Sequence, residues 1–231
     1  QVSLDGAYTI GHMTFDDRNA TKHNWSLAPA AGKPLALAVS SGSPTITVAN
    51  GVASAIGAMF VGTNGMTKAG AGTLSLTGSN AYTGDFVASA GTTIFGVGGW
   101  MMKASGIIIS NGATVQFSCA TQTDSVGTNN MPIMIMPGGT LAVANNPNCM
   151  GWHREGMASI TDYGTATLFV EQYANTLSLN GGTINGQGPL RFYVRYNGND
   201  TAISCTNTGT IACPLMASTN RYVDVAANST L

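Results

Sequence analysis

Charge is what this sequence has least of. Asp, Glu, Lys and Arg make up 8% of its 231 residues, against roughly a quarter in an ordinary soluble domain. Nine basic residues nearly cancel ten acidic ones, leaving a net charge of −1. With no basic run, nucleic acid and anionic membrane surfaces are excluded as electrostatic partners. Aromatics are scarce at 7%. No apolar stretch reaches the roughly 18 residues of a membrane helix, so membrane insertion is not expected. Helix signals are also missing: Glu and Lys are rare, Gly or Pro breaks almost every window, and apolar residues do not recur at three and four. There is no calcium nonapeptide, phosphate loop, nucleotide fingerprint or nucleophile elbow. The chain starts at Gln1 rather than Met, as expected of a mature product freed of its signal peptide or of an excised fragment.

What is present is a 44% hydrophobic fraction and 30 glycines. Short alternating runs, such as Leu35-x-Leu37-x-Val39, Ile46-x-Val48, Ile133-x-Ile135 and Leu177-x-Leu179, end at Gly, Asn or Pro. Alternation of this kind marks half-buried strands. One phrase recurs: Gly72-Thr73-Leu74-Ser75-Leu76, Gly91-Thr92-Thr93-Ile94-Phe95, Gly112-Ala113-Thr114-Val115-Gln116-Phe117, Gly139-Thr140-Leu141-Ala142-Val143 and Asn175-Thr176-Leu177-Ser178-Leu179. Aligned as Leu74, Ile94, Val115 and Leu141, its copies lie 20, 21 and 26 residues apart. That period is too short for a propeller blade and suits one turn of a solenoid that tolerates loop insertions.

The expected fold is all-β, a right-handed parallel β-helix forming one domain over 1–231. Irregular coils span 1–62, repeat-like coils 63–144 and C-terminal coils 174–231, with a loop insertion at 145–173. Apolar side chains should point inward and stack coil on coil, with Thr, Ser and Asn in outward or corner ladders.

Residues 64–84, Asn-Gly-Met-Thr-Lys-Ala-Gly-Ala-Gly-Thr-Leu-Ser-Leu-Thr-Gly-Ser-Asn-Ala-Tyr-Thr-Gly, followed by Ala88-Ser89-Ala90-Gly91-Thr92, closely resemble the autotransporter-associated β-strand repeat. The resemblance implies a passenger-type β-helix in a secreted or surface-displayed bacterial protein acting as stalk, adhesin or matrix material. The repeat is a scaffold and implies no catalytic residues.

Four cysteines allow three pairings. An exported chain favours disulfides, with Cys205–Cys213 and Cys119–Cys149 as candidate bridges and four buried thiols as the alternative. Gly151-Trp152-His153-Arg154-Glu155-Gly156 is the segment richest in chemistry, so Trp152, His153, Arg154 and Glu155 form a candidate ligand loop for a glycan or carboxylate. Asp16-Asp17 is the only adjacent acidic pair and is read as a turn, since neighbours on a strand face opposite sides. Met101-Met102 and Met131, Met134 and Met136 read as core or contact surface. Neither a cofactor nor a metal is expected.

A solenoid leaves open strand edges and an uncovered core at its first and last coil. Val2, Leu4, Tyr8 and Ile10 at one end, and Tyr222, Val223 and Val225 at the other, read as strands with no helical cap. The functional expectation is a non-catalytic extracellular structural protein whose partner is itself, associating end to end or by strand exchange into a filament or surface assembly. An adhesin fragment binding glycans or a host surface is the alternative, and a polysaccharide lyase or hydrolase a third reading.

Overall fold

A computed structural model describes residues 1–29, 33–99, 103–118, 131–145, 149–150, 158–192, 201–217, 222–225 and 230–231. Every regular element among them is a strand. Each sheet pairs strands that are distant in sequence and run parallel, so the chain winds as a parallel β-solenoid.

Ten strands form the first sheet and twelve the second, while three more, Tyr8–Ile10, Leu35–Leu37 and Phe60–Gly62, form a third wall on the first three coils only. Where that wall ends as a sheet it continues as hydrogen bonds: the Ala81 and Thr83 amides donate to Phe60 and Gly62 carbonyls at 2.8 and 2.9 Å. From there the described strands of each coil fall in the two long sheets.

Alternation decides which side chains enter. On the first sheet Leu27, Ile56, Leu76, Phe95, Phe117, Val143 and Leu168 stand on one another in one inward column. Phe95 stacks on Phe117 at 5.4 Å and meets Phe86 from the second sheet edge-on at 5.2 Å. All seven are buried, and each contributes about 1.5–3 kcal/mol relative to exposure. The outward ladder is also regular: Thr73, Thr92, Thr114, Thr140, Thr165, Thr183 and Thr210 are successive partners. Threonine suits it because β-branched side chains pack well on a pleated surface and against cross-strand copies of themselves.

Two sequence expectations need correction. Hydrophobicity aligns the recurring phrase on Ile94, but Leu74 pairs with Thr93 and Thr93 with Val115. Thr93 is fully buried and Ile94 faces out. Phe95 fixes this register, because a shift by one residue would expel its ring from the core.

The insertion at 145–173 is narrower than expected. Ala158–Asp162 and Thr165–Leu168 are ordinary coil strands in register with the coil before them. Cys149 and Met150 are buried in the core. The Met150 amide donates to Gln172 Oε1 at 3.1 Å, and the Met150 carbonyl accepts from Ala158 at 3.1 Å.

Candidate functional site

Two places in the solenoid carry more than packing: the corner built by residues 64–91 and the face at the N-terminal coil.

At the corner, Met66 and Lys68 both point inward from the strand Met66–Ala69. Lys68 occupies a column position between Ile46 and Ala88 and is fully buried. A buried ammonium needs an acceptor for each N–H, and Lys68 Nζ has three: the carbonyls of Gly70 at 2.5 Å, Gly72 at 2.6 Å and Ala90 at 2.7 Å. The first two belong to its own coil and the third to the next, so the side chain ties two coils together. Burial lowers its pKa to about 8, which leaves it charged at neutral pH.

The glycines around it are required sterically. A Cβ on Gly72 would run into the Ala49 carbonyl oxygen, and one on Gly91, at φ +65°, would stand 2.5 Å from Lys68 Nζ. Asn80, also buried, holds the opposite side of the coil. Its amide donates to Gly78 O at 3.0 Å and its Oδ1 accepts from Phe60 at 3.3 Å. The sequence pattern alone assigns Lys68 no role. The available signal was its place two residues after Met66, on the inward phase of the strand.

Among the described residues, the N-terminal coil supplies the first members of the inward columns. Val2 tops the column of Leu27, Tyr8 that of Leu35, and Ile10 that of Leu37. Val2, Tyr8 and Trp25 are 49%, 46% and 39% exposed. With Leu4, Met13 and Phe15 they surround an apolar hollow of about 320 Å³. The structure therefore brings Val2, Leu4, Tyr8 and Ile10 together at one site. Tyr222, Val223 and Val225 lie in a strand paired with Thr201–Cys205 in the second sheet; Leu215, in the strand paired with Leu190–Phe192, is 43% exposed.

Cys205 and Cys213 do not form the expected bridge; both are free thiols. Cys205 ends a second-sheet strand, and Cys213 follows Thr210–Ala212 on the first sheet, so the chain between them crosses from one wall to the other. The Cys205 thiol instead donates to the carbonyls of Asn207 at 2.6 Å and Thr230 at 3.3 Å. Cys149 is disulfide-bonded; Cys119 lies outside the described residues, as do Trp152, His153, Arg154 and Glu155.

Asp17 organises a loop. Its carboxylate accepts from the Asn19 and His23 amides at 2.9 Å each and meets His23 Nδ1 at 2.6 Å. The Asn19 amide foremost, with His23, holds its pKa down at about 2. Met131 is buried, whereas Met134 and Met136 face solvent. Among the described residues no three His, Cys, Asp or Glu gather as a metal site.

Residues 66–94, the stretch that contains the lysine corner, match the passenger-associated-transport repeat. The chain carries an autotransporter passenger repeat. A 118-residue stretch is 34% identical to the adhesin BmaC autotransporter of Brucella suis biovar 1 (strain 1330), which is 51% of this chain and 3% of that protein. The match thus spans only a small part of a far longer relative. No solved structure gives a significant match. In the passenger repeat of this chain, the Lys-x-Gly-x-Gly wording is a cation followed by the two carbonyls that hold it, and Asn-x-Tyr places two buried polar side chains on the other side of the coil.

Proposed function

We propose that this chain is a non-catalytic structural segment of a bacterial surface passenger, exposed outside the cell, that stacks end to end through its coil faces into a filament or surface assembly. The observation that carries the reading is the regular parallel pairing of coil on coil through both long sheets, with an apolar hollow lined by Val2, Leu4, Tyr8 and Ile10 at the N-terminal coil. Parallel strand edges accept another parallel strand, as each coil does within the chain. Head-to-tail contact of this kind does not close on itself and grows linearly. A net charge of −1 offers little repulsion against such growth. A non-catalytic role is supported by the passenger repeat and by Asp17, whose carboxylate is engaged in its own loop.

Electron microscopy and sedimentation of the purified chain across a concentration series test this. Wild type should give rods that lengthen with concentration, and a Leu4→Lys/Ile10→Lys variant should remain as short particles with an unchanged β spectrum. Single particles of wild type at every concentration would overturn it.

A second reading, an adhesive segment, is favoured by the adhesin name of the Brucella relative. Its candidate contact is the Trp152 loop, and glycan-array binding abolished by Trp152→Ala would support it over the filament.

A further inference from the structure

The second-sheet column that contains Lys68 continues through Ala88, Ile109 and Ile135 to Asp162, and then to Leu179. Asp162 is fully buried. One of its carboxyl oxygens, Oδ1, accepts the Gly164 amide at 2.8 Å, while the Thr183 amide donates to the Gly164 carbonyl at 3.0 Å. Among the described residues the other, Oδ2, has no partner. Room for the carboxyl depends on Gly182, where an added Cβ would come within 2.5 Å of Asp162 Cγ. The groups packed around it are Ile135 from the preceding coil, Leu179 from the following one, and the turns at Gly164 and Gly182-Thr183. None of these supplies an ionisable side chain.

The position is mechanically sensitive. The strand bearing Asp162 has a register shift between Ala158 and Ser159. Its neighbour, Gln172–Leu179, then serves two partners, pairing with Leu190–Phe192 through its first residues and Thr201–Cys205 through its last. The second sheet forks one coil beyond the buried carboxyl.

We propose that Asp162 is a proton-operated latch: the carboxyl is buried as the neutral acid, and its ionisation loosens the coils from 158 to 183, so the C-terminal part of the solenoid is held tightest in acid. Among the described residues, a carboxylate would place negative charge on an oxygen with no donor and no nearby cation, whereas the acid form leaves only a neutral hydroxyl unpaired, which costs far less than a buried charge. Burial raises the pKa from 3.8 to about 6. Because the folded state holds the proton more tightly than the unfolded chain, the stabilisation is present in full below the ordinary carboxylate pKa and is lost as pH rises through about 6.

Native-state amide exchange from pH 3.5 to 7.5, corrected for intrinsic rates, tests the latch on wild type and Asp162→Asn. In wild type the opening constant of 158–183 should rise about tenfold per pH unit to about pH 6 and then level, on the order of a hundredfold in all, while residues 66–95 stay flat. The Asn variant keeps the shape without the titration and should remove that slope. A slope that survives in Asp162→Asn, or no slope in wild type, overturns the proposal. Should the variant fail to fold, infrared spectroscopy of wild type decides instead. A neutral carboxylic-acid carbonyl band that disappears with a midpoint near pH 6 supports the latch, and its absence at pH 5 overturns it.

Discussion

Replacing Lys68 by Met tests whether the passenger-repeat corner is held by its ammonium or only tolerates it. Methionine keeps the unbranched stem in the column between Ile46 and Ala88 but leaves the carbonyls of Gly70, Gly72 and Ala90 without the donor that now serves them. The Gly72 carbonyl keeps the Thr92 amide at 3.2 Å, so two carbonyls, those of Gly70 and Ala90, lose their donor. A buried acceptor left unsatisfied costs about 1–3 kcal/mol, so two at mid-range cost about 4. Against this, Met removes a buried charge, and the fall from 10.5 to about 8 corresponds to about 3 kcal/mol. Carbonyl loss wins by about 1 kcal/mol. Because solenoids unfold coil by coil, the readout is native-state amide exchange, with protection of 66–95 falling by that amount in Lys68→Met. The pH dependence provides a second check. Between about pH 8 and 10.5 the unfolded chain holds a proton that the folded chain has lost, so wild-type stability rises with pH in that window, and the Met variant shows no such rise. Equal or greater protection in Lys68→Met would refute the argument that the carbonyls need the cation.

Gly72→Ala should destabilise the same coils by about 3 kcal/mol or more, because its Cβ meets the rigid backbone carbonyls of Ala49 and Val52, where overpacking has no side chain to displace; denaturant midpoints check it. Thr93→Val removes a buried hydroxyl that has no partner at nearly constant volume and should stabilise by about 1 kcal/mol, measured as a rise in thermal midpoint.

The fold was legible because strand alternation survives at nearly every coil: Leu74, Val115, Leu141 and Leu177 were read as inward and are buried. Legibility failed where a residue type broke its usual side. Thr93 took a core position and Ile94 a surface one, so alignment by hydrophobicity slipped the copy by one residue. The third wall was missed because its strands are three residues each and disappear after Phe60–Gly62. Of the sites, Val2, Tyr8 and Ile10 are legible as strand residues, and with Leu4 they line one hollow. The Cys205–Cys213 pairing is not legible, since spacing along the chain carries no information about which wall each cysteine occupies. Lys68 and Asp162 were passed over for a common reason: charged residues are seldom fully buried, so composition argues against placing them inside.

Those two residues show how a chain this poor in charge uses the little it buries. They occupy one inward column and meet the same resource, the backbone groups of the solenoid turns, with opposite polarity. Lys68 has three donors and finds three carbonyls, so its charge is compensated in place and strengthens the contact between two coils. Asp162 offers two oxygens; among the described residues one takes the Gly164 amide and the other stands alone. Partial compensation makes its burial conditional on protonation. A charged side chain inside a solenoid therefore acts as a fixed tie when the turns complete its hydrogen bonds, and as a titratable joint when they do not. The deciding quantity is the count of backbone partners within reach, not the depth of burial, which is the same for both.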